Sequence, residues 1–313
     1  MLTIRHITIY RYARPVVIGR HRLMFRPRDS HDLRLLNATL TISPPAASIR
    51  WLHDVFGNSV AIAEFTAETA ELRFESDITV EHYALDHPDF PIEEYARTYP
   101  FSYSNDEIPD LGRLIERHYP DPEHKVDNWA KQFATPEDGS TTNLIHTQPM
   151  LERMMLAIKN GFAYAARYAE GTQSPVETLE LGRGSCRDFS LLMIEAARSL
   201  GFAARFVSGY QYDPATDHGT VQHPGTGAMH AWVQIYLPGA GWVEFDPTNA
   251  IVGGKDLIRV AVARDPHQAV PLSGKWIGTP ADDLGMEVSV IVTSGIGQGT
   301  EAGLGNALPP DDA

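Results

Sequence analysis

Gly182-Arg183-Gly184-Ser185-Cys186-Arg187-Asp188-Phe189, continued by Ser190 to Phe202, is the stretch on which the reading of this chain turns. Phe189, Leu192, Met193, Ala196 and Leu200 recur at helical spacing, and Leu191 and Ile194 widen the apolar face. That pattern predicts a largely buried central helix ending near Gly201. Ser185, followed three positions later by Asp188, is a variant of the S-x-x-E capping box, so Ser185 is the N-cap and Cys186 lies in the first turn. There the free backbone N–H groups and the positive end of the helix dipole favour a thiolate, and the Cys186 N–H can donate to a developing oxyanion. A lone cysteine is equally a small apolar residue at home in a core. The glycines ahead of it allow a backbone or substrate to come close, but a working thiolate also needs a base and a group to orient that base.

Both residue types occur in 229–249, Met-His-Ala-Trp-Val-Gln-Ile-Tyr-Leu-Pro-Gly-Ala-Gly-Trp-Val-Glu-Phe-Asp-Pro-Thr-Asn. Val233, Ile235 and Leu237 alternate with Trp232, Gln234 and Tyr236, and a Pro-Gly-Ala-Gly turn leads to a second strand at Trp242–Phe245. His230 opens the first strand and Asp246 closes the second, so an antiparallel hairpin brings them to one end. Whether they share a face depends on the loop. A three-residue loop with 237 opposite 241 sets them diagonally, a five-residue loop sets them opposite, and a four-residue loop separates them unless a bulge intervenes. Cysteine, histidine and aspartate in that order, 44 and 16 positions apart, form a nucleophile, base and orienter set.

With Ala204-Arg205-Phe206-Val207-Ser208-Gly209-Tyr210, His230-Ala231-Trp232 and Gly241-Trp242-Val243-Glu244-Phe245-Asp246-Pro247-Thr248-Asn249, the Gly-Ser-Cys-Arg-Asp-Phe block resembles the bacterial transglutaminase-like family. His21-Arg22-Leu23-Met24-Phe25-Arg26-Pro27-Arg28 and Asp54–Asn58 resemble the β-domain that precedes the core in that family, so the likeness runs to about residue 292. The resemblance implies an α+β fold with a papain-like core, a central helix carrying Cys186 packed on an antiparallel sheet. It also implies a Cys186–His230–Asp246 triad: Cys186 the nucleophile, His230 the general base and acid, and Asp246 the holder of the imidazole. The implied reaction is acyl transfer on a peptide or protein amide through a thioester. Water as acceptor makes a peptidase or amidase, the favoured expectation; a lysine-type amine makes a cross-linking transglutaminase, and glutamine deamidation is a third outcome. A reading of another class is a binding or assembly module whose triad is incidental.

A second oxyanion donor is sought in Gln173 and Tyr164, which precede the helix. Trp232 and Trp242 are expected to pack the hairpin, with Trp232 a candidate wall of a substrate groove. Arg187 and Asp188 are assigned to the helix start and a local ion pair. Asp213, Asp217, His218 and His223 raise a metal hypothesis, yet their spacing fits no compact zinc pattern, and no calcium loop stands out. They read better as an exposed polar loop at the site. No metal and no cofactor is expected.

Residues 1–86 read as an all-β sandwich or barrel, on the period-two alternation of Leu72, Phe74, Ile78 and Val80 and of Leu36, Ala38, Leu40 and Ile42. Asp54-Val55-Phe56-Gly57-Asn58 reads as a hairpin turn between two β-rich runs. Residues 87–143, punctuated by prolines, read as a helical linker with helices at 107–118 and 125–134. Residues 144–294 form the expected catalytic core, where Leu151, Met154, Met155 and Ile158 follow Pro149 as the packed face of a helix. Residues 295–313, rich in glycine, are expected to be a disordered tail. The whole has 313 residues, 43% hydrophobic, which fits about two domains at roughly 150 residues each. Its 26 basic and 40 acidic residues, net −14, argue against nucleic acid or an anionic membrane as partner. One cysteine excludes an internal disulfide, and Arg5, His6 and Arg11 break up any early apolar run, so a cytoplasmic protein is expected. Oligomeric state is left open.

Overall fold

Strand β1 (Leu2–Leu23), 22 residues long, organises the N-terminal half of the computed structural model, which describes residues 1–83, 90–136, 144–167, 171–214 and 229–295. Leu2, Ile4, His6 and Thr8 point inward while Thr3 and Arg5 face solvent, the alternation of a half-buried strand. With β2 (Leu33–Ser43), β3 (Ser48–His53), β4 (Ser59–Glu64) and β5 (Glu68–His82) it builds a sheet of order β2-β5-β1-β4-β3. The pairing of β1 with β5 slips between Arg11 and Val16, where Pro15 has no N–H to give to a ladder. The expected turn at 54–58 joins β3 to β4: Gly57 takes φ +73°, and one Asp54 oxygen accepts the N–H groups of Phe56 at 2.9 Å and Asn58 at 2.8 Å.

Next come β6 (Thr98–Tyr99), α1 (Glu107–Ile115), α2 (Lys125–Lys131), β7 (Ile145–His146), α3 (Thr147–Gly161), β8 (Ala163–Tyr164), α4 (Pro175–Leu181), β9 (Arg183–Gly184) and α5 (Cys186–Ser199). They are followed by β10 (Ala204–Gln211), β11 (His230–Leu237), β12 (Gly241–Asp246), β13 (Ile251–Val252) and β14 (Leu257–Ala263), an antiparallel sheet of order β13-β12-β11-β10-β14. The sheet packs on α5, with Ala231, Val233, Ile235 and Leu237 meeting Phe189, Leu192, Met193 and Ala196 in one core. Met150, Leu151, Met154, Met155 and Ile158 of α3 join them, each buried side chain contributing about 1.5–3 kcal/mol. The two methionines of the sequence reading are packing residues.

Two expected boundaries need correction. Val126 and Ala130 of α2 lie wholly inside the core that contains α5, so the predicted linker is a layer of the core. At the other end the core stops short of residue 294. After β14 the chain returns to the first sheet: β15 (Leu272–Ile277) pairs with Val17–Leu23 of β1, and β16 (Asp283–Ser294) pairs with Leu2–Tyr12. The first domain is therefore a single seven-stranded half-barrel. Without these strands one edge of β1 would offer unpaired N–H and C=O groups along its length. Val290 and Val292 share a core with Ile4, Ile78 and Val80 on one side and Tyr210, Ile258 and Val260 of the second sheet on the other, which ties the two domains together. Among the described residues no helix is long and apolar enough to cross a membrane. The predicted tail beyond 295 and the polar stretch with Asp217, His218 and His223 lie outside the described residues.

Candidate active site

Cys186 is the first residue of α5, behind the N-cap Ser185. The carboxylate half of the expected capping box is in place: one Asp188 oxygen accepts the Ser185 N–H at 2.9 Å and the Ser185 hydroxyl at 2.8 Å. Its other oxygen accepts the Gln173 N–H at 2.7 Å, and Arg167 approaches at 3.5 Å, so a fully buried carboxylate gathers the loop before α4 onto the start of α5. The helix ends as expected, with Gly201 at φ +90° just past Leu200. A side chain at Gly184 would lie 2.9 Å from Asp188 Cβ, 3.2 Å from the Phe189 ring and 3.3 Å from Gln173 Oε1. Gly184 thus serves close packing against the first turn of α5.

The register question is settled by the Leu237↔Gly241 pair: the loop is three residues, Pro238–Ala240, and His230 lies diagonally across from Asp246. The imidazole Nε2 and Asp246 Oδ2 are 2.8 Å apart, with both side chains fully buried. Burial on its own would push the imidazole down; the Asp246 charge and hydrogen bond, together with contact to Cys186, raise it above its ordinary value. Burial would likewise push the Asp246 carboxyl up, and His230, Asn249 and the Thr248 N–H bring it below the usual range. The second ring nitrogen, Nδ1, has no hydrogen-bond partner, while Cys186 lies close enough to the ring to act on its charge. Cysteine, histidine and aspartate are therefore brought together from a helix start and two strand ends.

Asn249 belongs to this cluster and was missed. Its amide donates to Asp246 Oδ2 at 3.0 Å and to Gln211 Oε1 at 2.9 Å, while Asp246 Oδ1 takes the Thr248 N–H at 2.8 Å. The signal was present in the sequence: Asp followed two residues later by a turn N–H is an Asx turn, which folds the next side chain back beside the carboxylate. The other candidates divide. Gln173 is at the helix start, with Oε1 accepting from Thr178 at 3.3 Å. Tyr164 packs edge-on against Phe189, with centroids 6.5 Å apart, as part of the core. Trp232 walls no groove, because it is wholly buried, stacked on His230 at 5.9 Å, and gives its indole N–H to Glu244 at 2.8 Å. It packs the hairpin, as does Trp242, whose ring carries the Arg205 guanidinium at 4.0 Å.

Comparison with known proteins places this geometry in a family. Residues 2–81 match the bacterial transglutaminase-like N-terminal region, and residues 132–247, which include Cys186, His230 and Asp246, match the transglutaminase-like superfamily core. The chain is 26% identical over 303 residues to the uncharacterized protein ML0607 of Mycobacterium leprae, covering 91% of this chain and 96% of that one. It is 28% identical over 303 residues to the uncharacterized protein Rv2569c of Mycobacterium tuberculosis, covering 92% and 91%. A solved structure described as a "putative cysteine protease" from Cytophaga hutchinsonii superposes with a TM-score of 0.65 at 19% identity, over 94% of this chain and 91% of that one, and so shares the fold. The half-barrel, the helix-borne cysteine and the matches at both ends lead to one conclusion: the chain belongs to the bacterial transglutaminase-like family, with that family's N-terminal region ahead of a transglutaminase-like core.

Proposed function

We propose that the protein is a cysteine peptidase or amidase that works through Cys186, His230 and Asp246. The observation that carries this reading is the 2.8 Å contact between His230 Nε2 and Asp246, two fully buried side chains, with the Cys186 thiol beside the same imidazole. In the reaction, Cys186 Sγ attacks an amide carbonyl and its proton resides on His230 Nδ1. The tetrahedral oxyanion collapses, the C–N bond breaks, and the imidazolium gives its proton to the departing amine, leaving a thioester. Water then attacks with His230 as base, restoring the thiol and releasing the acid. Water is the acceptor that needs no second binding site, which favours hydrolysis over cross-linking.

The products distinguish these outcomes. Incubated with peptides containing glutamine and lysine, the wild type is expected to give fragments. A gain of about one dalton would mean deamidation, and a loss of about 17 would mean cross-linking. Absence of every product, together with alkylation of Cys186 at the rate of an ordinary thiol at pH 6, would overturn the proposal.

A pH dependence follows from the raised imidazole. A step that uses the imidazolium persists above the ordinary value of 6.5 and is lost only as pH rises through the elevated one. Asp246→Asn removes the charge that raises it and leaves the burial that lowers it. The alkaline limb of kcat/KM is expected to move to lower pH, with a loss of at least about tenfold at pH 8. An unmoved limb in the variant's pH–rate profile would contradict the assignment.

A further inference from the structure

We infer that the N-terminal half-barrel is a working part of the catalytic unit: through the Asp54–Asn58 hairpin, with Phe56 as positioning residue, it holds the Trp232 ring against the His230 imidazole. The inference rests on the reading of His230 as the general base and acid. Asp246 at 2.8 Å and Asn249 at 3.4 Å both meet the imidazole at Nε2, and the opposite side of the ring has only the Cys186 thiol beside it, so polar contacts hold the ring plane loosely. The plane is set by stacking on Trp232, at 5.9 Å between centroids and 27° between planes. What holds Trp232 therefore aims Nδ1.

Trp232 is held from three sides. Its own sheet provides Val207, Leu257 and Val262, and Gly209, the strand partner of His230, leaves room for the indole: a side chain there would come within 2.6 Å of Trp232 Cη2. Ile251 of β13 adds to these, and one apolar member of the cluster crosses from the other domain: Phe56 at the tip of the β3–β4 hairpin. The hairpin is locked at that position. Asn58, 1% exposed, donates Nδ2–H to the Val262 carbonyl at 2.6 Å and accepts the Val262 N–H on Oδ1 at 2.9 Å, closing the outer edge of β14 as a strand would.

A second tether runs through the indole nitrogen. Glu244 accepts the Trp232 N–H at 2.8 Å, the Gln234 amide at 2.8 Å and Arg259 at 2.7 Å. Arg259 in turn reaches Asp32 of the half-barrel at 3.2 Å. Both routes from the N-terminal domain converge on the ring that backs the imidazole.

The test uses the full chain and measures kcat and KM on a cleaved peptide together with the rate of Cys186 alkylation by iodoacetamide at pH 6. Phe56→Ala is expected to lower kcat and alkylation about tenfold at nearly constant KM, and Phe56→Leu, which keeps apolar volume, about threefold. Leu72→Ala, in a half-barrel core that includes neither Phe56 nor Trp232, should lower the unfolding temperature but leave kcat unchanged. Wild-type kcat and alkylation in both Phe56 variants would overturn the inference alone. An ordinary thiol rate and no turnover in the wild type would overturn the catalytic reading and this inference with it.

Discussion

Cys186→Ala is expected to abolish peptide cleavage, lowering kcat by about four orders of magnitude or more, while the fold and its unfolding temperature stay near those of the wild type. The side chain is 8% exposed at the start of a helix whose apolar face lies further along, so losing one sulfur atom opens only a small gap. The chemistry, in contrast, has no substitute: the described residues hold no other cysteine, and His230 without a thiol partner has only water to activate. His230→Ala should cost a similar factor in turnover, since it removes both the proton acceptor and the donor to the leaving amine, and the two losses should not add in the double variant. Full additivity in that cycle, or residual cleavage within tenfold of wild type in Cys186→Ala, would show that the cysteine is not the nucleophile. Kinetics of the two single variants and the double variant provide the check.

The second large effect concerns stability. Arg198 and Glu195, one helical turn apart on α5, are both fully buried and 2.9 Å apart. Arg198 also donates to the carbonyls of Leu114, Ala204 and Arg264 at 2.8–3.0 Å, and Glu195 accepts the N–H groups of His118 and Tyr119 at 3.1–3.3 Å. Arg198→Ala leaves the buried Glu195 carboxylate with the His118 and Tyr119 N–H groups but without its cation, and takes a donor from three carbonyls, at a cost of about 3–5 kcal/mol. At about 2.1 cal/mol/K per residue of unfolding entropy, that lowers the melting temperature by roughly 5–8 °C. A shift under 1 °C by calorimetry would mean that water reaches the site. Because the pair anchors the far end of the helix that begins with Cys186, activity should fall with stability even though Arg198 lies remote from the thiol.

The candidate site was more legible in the sequence than the architecture around it, for a physical reason. Each member of the Cys186, His230 and Asp246 set stands at the end of an element, where local signals are strong: an N-cap serine with an acid three residues on, and a Pro-Gly turn between alternating strands. The loop length stayed open because Pro238, Gly239 and Ala240 suit several turns, and Gly241 at φ +76° could belong to either loop or strand. The support around the site was hidden because it is non-local. Nothing near Asn58 announces that its amide will pair with Val262, 204 residues away. The period-two run of Met286, Val288, Val290 and Val292 is visible in the chain, but its partner is β1, and pairing over such a distance leaves no trace in either segment. Trp232 was read correctly as a packing residue of the hairpin, while its complete burial rests on residues distant in the chain, Val207, Leu257 and Val262.

That pairing of β1 with β16 also constrains the order of assembly. Leu2 lies beside Ser294, so the half-barrel is built from the earliest and the latest strands of the described chain. β1 is made well before β16 and waits for it with one edge bare, whereas the helices and strands of the core meet partners made close by in time. The core can therefore collapse before the sheet that accompanies it is whole. The half-barrel sheet is whole only once β16 has docked along β1, so that pairing closes its assembly.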